Sequence, residues 1–224
     1  MTERLTLTSI TPVTHDTYHL VFDRPEGFDF TPGQAVDLAL DREGWREEKR
    51  PFTFTSLPED DTLEFVIKSY PDHDGVTEQI AKLSPGDAVL IDEPWGAIAD
   101  KGPGWFIAGG AGVTPFIAIL KKRLRDEGTL KGSTLIFSNR TERDIILRET
   151  FTEMRGLDCV FTVTDDPESP LCMGMIGQEM LAQHVTPGEG KCYICGPDAM
   201  LEDISASLRE IGVPEEDIIT EEFD

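Results

Sequence analysis

The sequence has little positive charge, little cysteine and no long apolar run, and each shortage excludes a class of protein. Its 224 residues carry 20 Lys and Arg against 43 Asp and Glu, a formal net charge of −23. This charge repels phosphate, so neither nucleic acid nor an anionic membrane is expected as a partner. No apolar run reaches the roughly 18 residues of a membrane-spanning helix. The start, MTERLTLTS, lacks a basic segment followed by an apolar one, so a cytoplasmic location is expected.

The four cysteines do not indicate a metal site. Cys192 and Cys195 form a CxxC within the apolar run KCYICG, which reads as a β-strand. Residues three apart on a strand point to opposite faces, so the two sulfurs cannot share a ligand or a bond. Cys159 and Cys172 supply no second CxxC, and no iron–sulfur cluster spacing is present. No metal is therefore expected.

The first hundred residues read as an antiparallel β-barrel. Short runs rich in Val, Ile, Thr and Phe are separated by turn signals such as RPEGFDFTPG, LPEDD and LSPGD. Six such strands at close spacing predict a small barrel, interrupted by one short helix at 76–83. The six runs are RLTLTSITPVT, TYHLVF, QAVDLAL, KRPFTFTS, TLEFVIKSY and DAVLIDEPWG.

After the segment ADKGPG at 99–104, strands and helices alternate, which predicts a second domain. Five strands with intervening helices indicate a doubly wound parallel α/β sheet in the order 3-2-1-4-5. We therefore expect two domains, residues 1–99 and 104–224. The helices are expected at 115–127, 143–154, 177–184 and 198–211.

A glycine-rich turn, IAGGAGVTP at 107–115, joins the first strand of this second domain to its first helix. Gly110 and Gly112 would let a ligand approach the backbone, and the free N–H groups of the helix N-terminus suit phosphate. Thr114 is expected as the N-cap and Pro115 as the first helical residue. A tight turn without a ligand is the alternative interpretation. The fourth strand ends in a comparable turn, Cys195-Gly196-Pro197, and the strand order places both turns at one crevice.

The end of the second strand of this domain, Ser138-Asn139-Arg140, is where an adenosine ribose is usually recognised. Hydroxyl and basic side chains there, with Arg143 nearby, favour NADPH over NADH. The alternative is that Arg143 and Arg148 are solvated helix residues.

The stretch RPFTFTS at 50–56 alternates aromatic and hydroxyl side chains after one arginine. As a strand it places Phe52 and Phe54 on one face and the hydroxyls on the other. It is either an ordinary half-buried strand or a shelf for a flat, polar and negatively charged ligand.

Taken together, these segments resemble the ferredoxin–NADP(+) reductase superfamily, in which a flavin-binding barrel precedes a nicotinamide-binding domain. The stretch RPFTFTS is similar to the flavin motif R-x-Y-[ST]-x-x-[ST], with Phe52 in place of tyrosine. The other matching segments follow in the family's order across the whole chain: DGVTEQIAKLSPGD, EPWG, GGAGVTP, SNRTERDI, CGPDAM and the terminal E-x-F of Glu221-Glu222-Phe223.

The resemblance implies roles for the flavin side of the site. Arg50, next to Pro51, would pair with the flavin phosphate, Phe52 would pack on the ring system, and Thr53 would hydrogen-bond near N5. Ser56, or the amides of Val76 and Thr77 after Gly75, would help to hold phosphate. This second phosphate-type helix start favours FAD over FMN.

The resemblance also implies a nicotinamide side. The turn residues Gly110, Gly112, Thr114 and Pro115 would face NAD(P)H, and Cys195 with Gly196 and Pro197 would lie beside the nicotinamide. A buried strand-end thiol is the alternative for Cys195. Glu221 and Phe223 would approach the flavin from the last strand, so Thr53, Cys195 and Glu221 are the candidate catalytic residues.

The implied activity is hydride transfer from NAD(P)H to FAD N5, followed by electron transfer to a separate acceptor such as ferredoxin, flavodoxin or an oxygenase component. Two alternatives remain open, a reductase of free flavin or ferric chelates and a non-catalytic electron-relay subunit. A basic cluster, Lys121, Lys122, Arg123 and Arg125, is either a docking patch for an acidic acceptor or a solvated helix face.

Overall fold

A computed structural model describes residues 2–71, 75–96 and 98–220, and its first half is a six-stranded sheet in which every strand pairing is antiparallel. The strand order is β4-β3-β6-β1-β2-β5. Alternating apolar residues fill the interior, with Leu5, Leu7, Leu20, Phe22 and Leu38 all fully buried. The strands are β1 Glu3–Pro12, β2 Thr17–Asp23, β3 Ala35–Leu40, β4 Arg50–Thr53, β5 Thr62–Lys68 and β6 Ala88–Ile91, and helix α1 is Val76–Ile80.

The two edge strands of this sheet approach each other and nearly close a barrel. Phe54 forms an antiparallel bridge with Phe65, and the Thr55 N–H donates to the Glu64 carbonyl at 2.8 Å. The Phe54 ring is fully buried and stacks on Phe30 with ring centroids 4.2 Å apart. The stretch RPFTFTS is therefore a short strand whose second aromatic residue closes the barrel core, and the expected barrel is confirmed.

The second half is a five-stranded parallel sheet with helices, in the order β11-β10-β7-β8-β9. When the five strands are numbered in chain order and the sheet is read from the β9 edge, the order is 3-2-1-4-5. This order confirms the doubly wound arrangement. The elements are β7 Gly104–Gly109, α2 Thr114–Glu127, β8 Ser133–Asn139, α3 Arg148–Glu153, β9 Leu157–Val163, α4 Gln178–His184, β10 Lys191–Cys195, α5 Asp198–Glu210 and β11 Ile218–Thr220.

The helix expected at 143–154 is wrong as a single element. A 3-10 turn at Glu142–Asp144 comes first, and α3 begins only at Arg148. The Asp144 carboxylate accepts hydrogen bonds from the N–H and hydroxyl of Thr141, which closes the first turn. Leu147 then takes a left-handed conformation with φ of +52° and breaks the helical path. The first helix is also shorter than expected, ending at Ile80.

The positions of Cys192 and Cys195 agree with the predicted β-strand. On β10, Cys192 packs into the core on one face of the sheet and Cys195 into the core on the other. None of the four cysteines forms a disulfide, and burial raises the pKa of the Cys192 thiol to about 12. The CxxC is thus part of the apolar core.

Three of the four basic residues of α2 contact the barrel half of the chain. Lys121 Nζ donates to the Thr55 carbonyl at 2.9 Å, and Lys122 Nζ lies 2.7 Å from Glu59. Arg125 lies 3.7 Å from Asp60. Buried Arg123 instead contacts Asp100 at 3.1 Å. The cluster is therefore more than a solvated helix face, because three of its cations contact the barrel, and the docking patch stays a prediction.

Among residues 2–71, 75–96 and 98–220, no helix has the length and apolar character needed to cross a membrane.

Candidate functional site

A cleft of about 370 Å³ opens between the barrel and the parallel sheet. Its barrel side comes from β3, β4, β5 and α1, and its other side from the turns that follow β7 and β10. Those turns lie at the carboxyl ends of parallel strands, where ligands of doubly wound sheets bind. The lining residues are Ala35, Pro51, Phe52, Thr53, Val66, Ile67, Lys68, Tyr70, Thr77, Gly109, Ala111, Gly112, Thr114, Pro115, Cys195, Gly196 and Pro197.

On the barrel side, β4 presents a flat apolar surface beside a hydroxyl. Phe52 is half-buried, packs against the barrel core and lines the cleft. Thr53 is 8% exposed and lines the cleft next to it. Apolar walls with a few convergent polar groups are the usual form of a cofactor site, and this one fits a planar ring that needs a polar contact at one edge.

Sequence reasoning missed Lys68 and Tyr70, which line the same cleft at the end of β5. Lys68 Nζ pairs with Asp16 at 2.7 Å, and its side chain is largely buried. Burial opposes ionisation of Asp16, but hydrogen bonds from Lys68 and Thr14, together with the positive charge of Lys68, lower its pKa overall. The available signal was a lysine and a tyrosine at the end of the apolar strand TLEFVIKSY.

On the opposite side, the glycine turn continues directly into α2. A 3-10 turn at Gly110–Val113 follows β7, and Thr114 already has helical φ and ψ of −60° and −40°. Its hydroxyl donates to the Ala111 carbonyl at 3.0 Å, so the expected N-cap role is wrong. Pro115 is the second residue of α2, one position later than expected.

Gly109 and Gly112 are required by packing within the protein, whether or not a ligand binds. A Cβ added at Gly112 would overlap the Cys195 carbonyl, and one added at Gly109 would overlap the Met200 sulfur. The turn after β7 therefore packs directly against the turn after β10, as the strand order predicts. Cys195, 6% exposed, reaches the cleft at this contact.

Arg50, Ser56 and Val76 are not among the residues that line the cleft. Arg50 is exposed, and its guanidinium donates to the Lys49 carbonyl at 2.6 Å. Ser56 is fully buried, and its hydroxyl accepts the Glu64 N–H at 3.0 Å, so its side chain closes the barrel instead of facing the cleft. Gly75 precedes α1, but Val76 is buried in the barrel core, and only Thr77 of this segment lines the cleft.

The segment Ser138-Asn139-Arg140 lies at the end of β8, one strand away from β7. Asn139 is buried, whereas Arg140 is exposed and pairs with Asp165 at 3.0 Å. Arg140 and Arg143 line a separate cavity of about 410 Å³, the Arg140 cavity, which shares Lys68 and Tyr70 with the cleft. The expected ribose end thus adjoins the cleft. Glu221 and Phe223 fall outside the described residues.

Comparisons with known proteins agree with this architecture. The family described as oxidoreductase FAD-binding domain matches residues 4–99, and the one described as oxidoreductase NAD-binding domain matches residues 106–206. The solved structure of a ferredoxin NADP+ reductase from Neisseria gonorrhoeae with bound FAD and NADP superposes with a TM-score of 0.85 at 20% identity, covering 98% of this chain and 97% of that one.

Two curated relatives cover nearly the whole chain. An NADH-cytochrome b5 reductase 2 of Mycosarcoma maydis is 30% identical over 226 residues, which is 89% of this chain and 63% of the relative. The reductase component of a propane 2-monooxygenase from Rhodococcus jostii is 28% identical over 239 residues, 98% of this chain and 63% of the relative. The chain thus spans less than two thirds of the length of either relative.

Proposed function

Because the chain belongs to the ferredoxin–NADP(+) reductase-like superfamily, in which an FAD-binding domain precedes an NAD-binding domain, we propose that it is an NAD(P)H-dependent flavoprotein reductase that serves a separate electron acceptor. We assign the FAD-binding unit to residues 1–99 and the nicotinamide-binding unit to residues 104–224. FAD held at Phe52 and Thr53 would supply the redox chemistry, namely acceptance of hydride from NAD(P)H at N5 and release of the electrons to the acceptor.

One observation carries this proposal. Phe52 and Thr53 of the barrel line the same cleft as the glycine turn and Cys195 of the parallel sheet. Two aromatic ring systems that exchange hydride must lie against each other, so their binding surfaces must face one space. The opposed surfaces of this cleft meet that requirement.

Each side of the cleft has a proposed task. Phe52 supports the flavin ring, and Thr53 holds its N5 edge. Two cationic residues belong to this edge of the barrel: Arg50, which directly precedes the cleft residue Pro51 in the chain, and Lys68, which lines the cleft. We propose that these two neutralise the flavin phosphates in place of Ser56. The glycine turn and Cys195 position the nicotinamide and exclude water behind it.

We propose NADPH as the preferred nicotinamide, on the basis of Arg140 and Arg143. The Arg140–Asp165 ion pair is exposed, with 81% and 65% of the two side chains accessible, so it is weak and can yield to a phosphate. Arg143→Gln should then reduce kcat/KM for NADPH by about tenfold while leaving that for NADH unchanged. Equal losses with both nicotinamides would contradict the assignment.

The proposed acceptor is a separate protein, with ferredoxin, flavodoxin or an oxygenase component as candidates. Because the chain carries a net charge of −23 and its α2 cations are paired, an acidic acceptor would be repelled on average. For an acidic acceptor we expect reduction to accelerate as salt is added, and for a basic one to slow.

Purifying the protein in the presence of FAD tests whether it is a flavoprotein reductase. The protein should retain stoichiometric FAD, released by acid and identified by chromatography, and should reduce an artificial one-electron acceptor with NADPH. A weakly held, exchangeable flavin together with rapid reduction of free flavin or ferric chelates would favour the free-flavin reductase instead. A protein that holds FAD but is inert towards both nicotinamides would favour an electron-relay subunit.

A further inference from the structure

A second space at the junction of the two halves, here called the seam cavity, has no part in the proposed reaction. It has a volume of about 620 Å³ and is lined from the barrel by Thr11–Val13, His19, Thr55 and Val66, and from the other half by Lys121, Ile145 and Leu147–Thr150. Val66 also lines the cleft, so the two spaces adjoin. Any occupant of the seam cavity would contact both halves of the chain.

The seam cavity contains a buried polar group that the fold does not satisfy. Thr55 is 1% exposed, and its hydroxyl has no hydrogen-bond partner among the described residues. Leaving a buried hydroxyl unpaired is costly, and valine would fill the same volume without that cost. The neighbouring Ser56, equally buried, does have a partner in the Glu64 N–H. A ligand that accepts the Thr55 hydroxyl would explain the difference.

The charges of the lining favour an anion. The lining carries two cations, Lys121 and Arg148, and one carboxylate, Glu149, in a chain that is otherwise strongly acidic. Lys121 donates to the Thr55 carbonyl at 2.9 Å and lies 3.9 Å from Glu64, whose carboxylate is already held by His19 at 3.0 Å. Arg148 pairs with Glu142 at 2.7 Å. Thr55 and Lys121 thus present a hydroxyl and a cation together.

Much of the remaining wall is apolar and comes from both halves. Pro12, Val13 and Val66 belong to the barrel, and Ile145 and Leu147 to the segment before α3. Leu147 has a φ of +52°, a conformation that leucine rarely adopts, and it shapes this wall. A bare inorganic anion would leave these surfaces without contact.

We propose that the seam cavity binds a small organic carboxylate with an apolar body. The carboxylate accepts hydrogen bonds from the Thr55 hydroxyl and Lys121, and the body packs between Val13, Val66 and Leu147. The ligand would bridge the barrel and the parallel sheet in a space that adjoins the cleft at Val66.

Calorimetric titration of the FAD-loaded protein with benzoate and with hexanoate tests the proposal. At least one should saturate below about 10 mM, and benzamide, the neutral counterpart of benzoate, should bind more weakly. Thr55→Val and Lys121→Met should each weaken binding by about tenfold or more. Lys122→Met is the matched control on the same helix, lies outside the cavity lining, and should bind as the wild type does.

Thermal unfolding separates a ligand site from a structural hydroxyl. Without carboxylate, Thr55→Val should unfold at the same temperature as the wild type or higher, and it should lose the upward shift that carboxylate gives the wild type. A lower midpoint for Thr55→Val would show that the hydroxyl serves the fold and would overturn the proposal. So would no saturation by either acid, binding that ignores both substitutions, or equally tight binding of inorganic phosphate.

Discussion

At the scale of single residues, the hydroxyls of RPFTFTS have different surroundings. Thr53 lines the cleft, Thr55 lines the seam cavity, and Phe54 between them fills the barrel core. Ser56 is held by the backbone of β5. The alternation of aromatic and hydroxyl side chains therefore serves the core and two separate spaces, and only its first part belongs to the proposed flavin site.

Gly112 is the residue on which the contact between the two turns depends most. Gly112→Ala would place a methyl group against the Cys195 backbone, which cannot move as a flexible side chain could. We expect a loss of about 1–3 kcal/mol in the free energy of unfolding, measured by urea denaturation, and weaker NADPH binding. Gly177→Ala is the matched control, because its φ is −130° and its added Cβ meets no atom within 4 Å. Equal effects of the two substitutions would contradict this account of the turn.

Glu64 should make stability depend on pH. The hydrogen bond from His19 is the main cause of its lowered pKa, against an ordinary value of 4.5, with burial opposing. A carboxylate with a lowered pKa contributes stability that is complete above 4.5 and disappears as the pH falls through the folded-state pKa.

Glu64→Gln should therefore lower stability at pH 7 by about 1 kcal/mol and flatten the decline between about pH 5 and pH 3. Urea denaturation at several pH values measures both effects. If Glu64→Gln loses as much stability as the wild type when the pH falls from about 5 to 3, Glu64 does not contribute to that loss.

At the scale of elements, α2 is joined to the turn between β4 and β5 by opposite charges. Lys122 lies 2.7 Å from Glu59, and both side chains are partly exposed. Lys122→Glu and Glu59→Lys should each destabilise the chain slightly, and the double variant should recover part of the loss.

Added salt should abolish the recovery, because exposed pairs are screened. Lys131→Glu is the control, since Lys131 has no ion-pair partner among the described residues. If the losses of stability of the two single variants simply add in the double variant at low salt, the Lys122–Glu59 pair does not connect α2 to this turn.

Local pattern predicted most of the elements and failed where tertiary contacts decide. Alternating apolar residues and turn signals located the six barrel strands, and the strand–helix rhythm located the parallel sheet. Thr114 has the chemistry of an N-cap, but the 3-10 turn before it, packed against Cys195, extends the helical path past it. The barrel contacts of Lys121, Lys122 and Arg125 could not be predicted because their partners lie about sixty residues earlier in the sequence. Lys68 looked like an ordinary strand end for the same reason.

At the scale of the whole molecule, two sheets from different parts of the sequence form one cleft. Its aromatic and hydroxyl surface comes from the barrel, and its glycine turn comes from the parallel sheet, so neither half alone forms the site. The net charge of −23 adds a constraint on the proposed acceptor, which should carry a basic face or dock on a neutral one.

The most direct test of the central claim is an anaerobic titration of the FAD-loaded protein with NADPH, followed through the visible absorption of the flavin. About one equivalent should bleach the flavin, because one hydride delivers two electrons, and the colour should return when an acceptor is added. A flavin that stays bound and coloured in excess NADPH and in excess NADH would contradict the account.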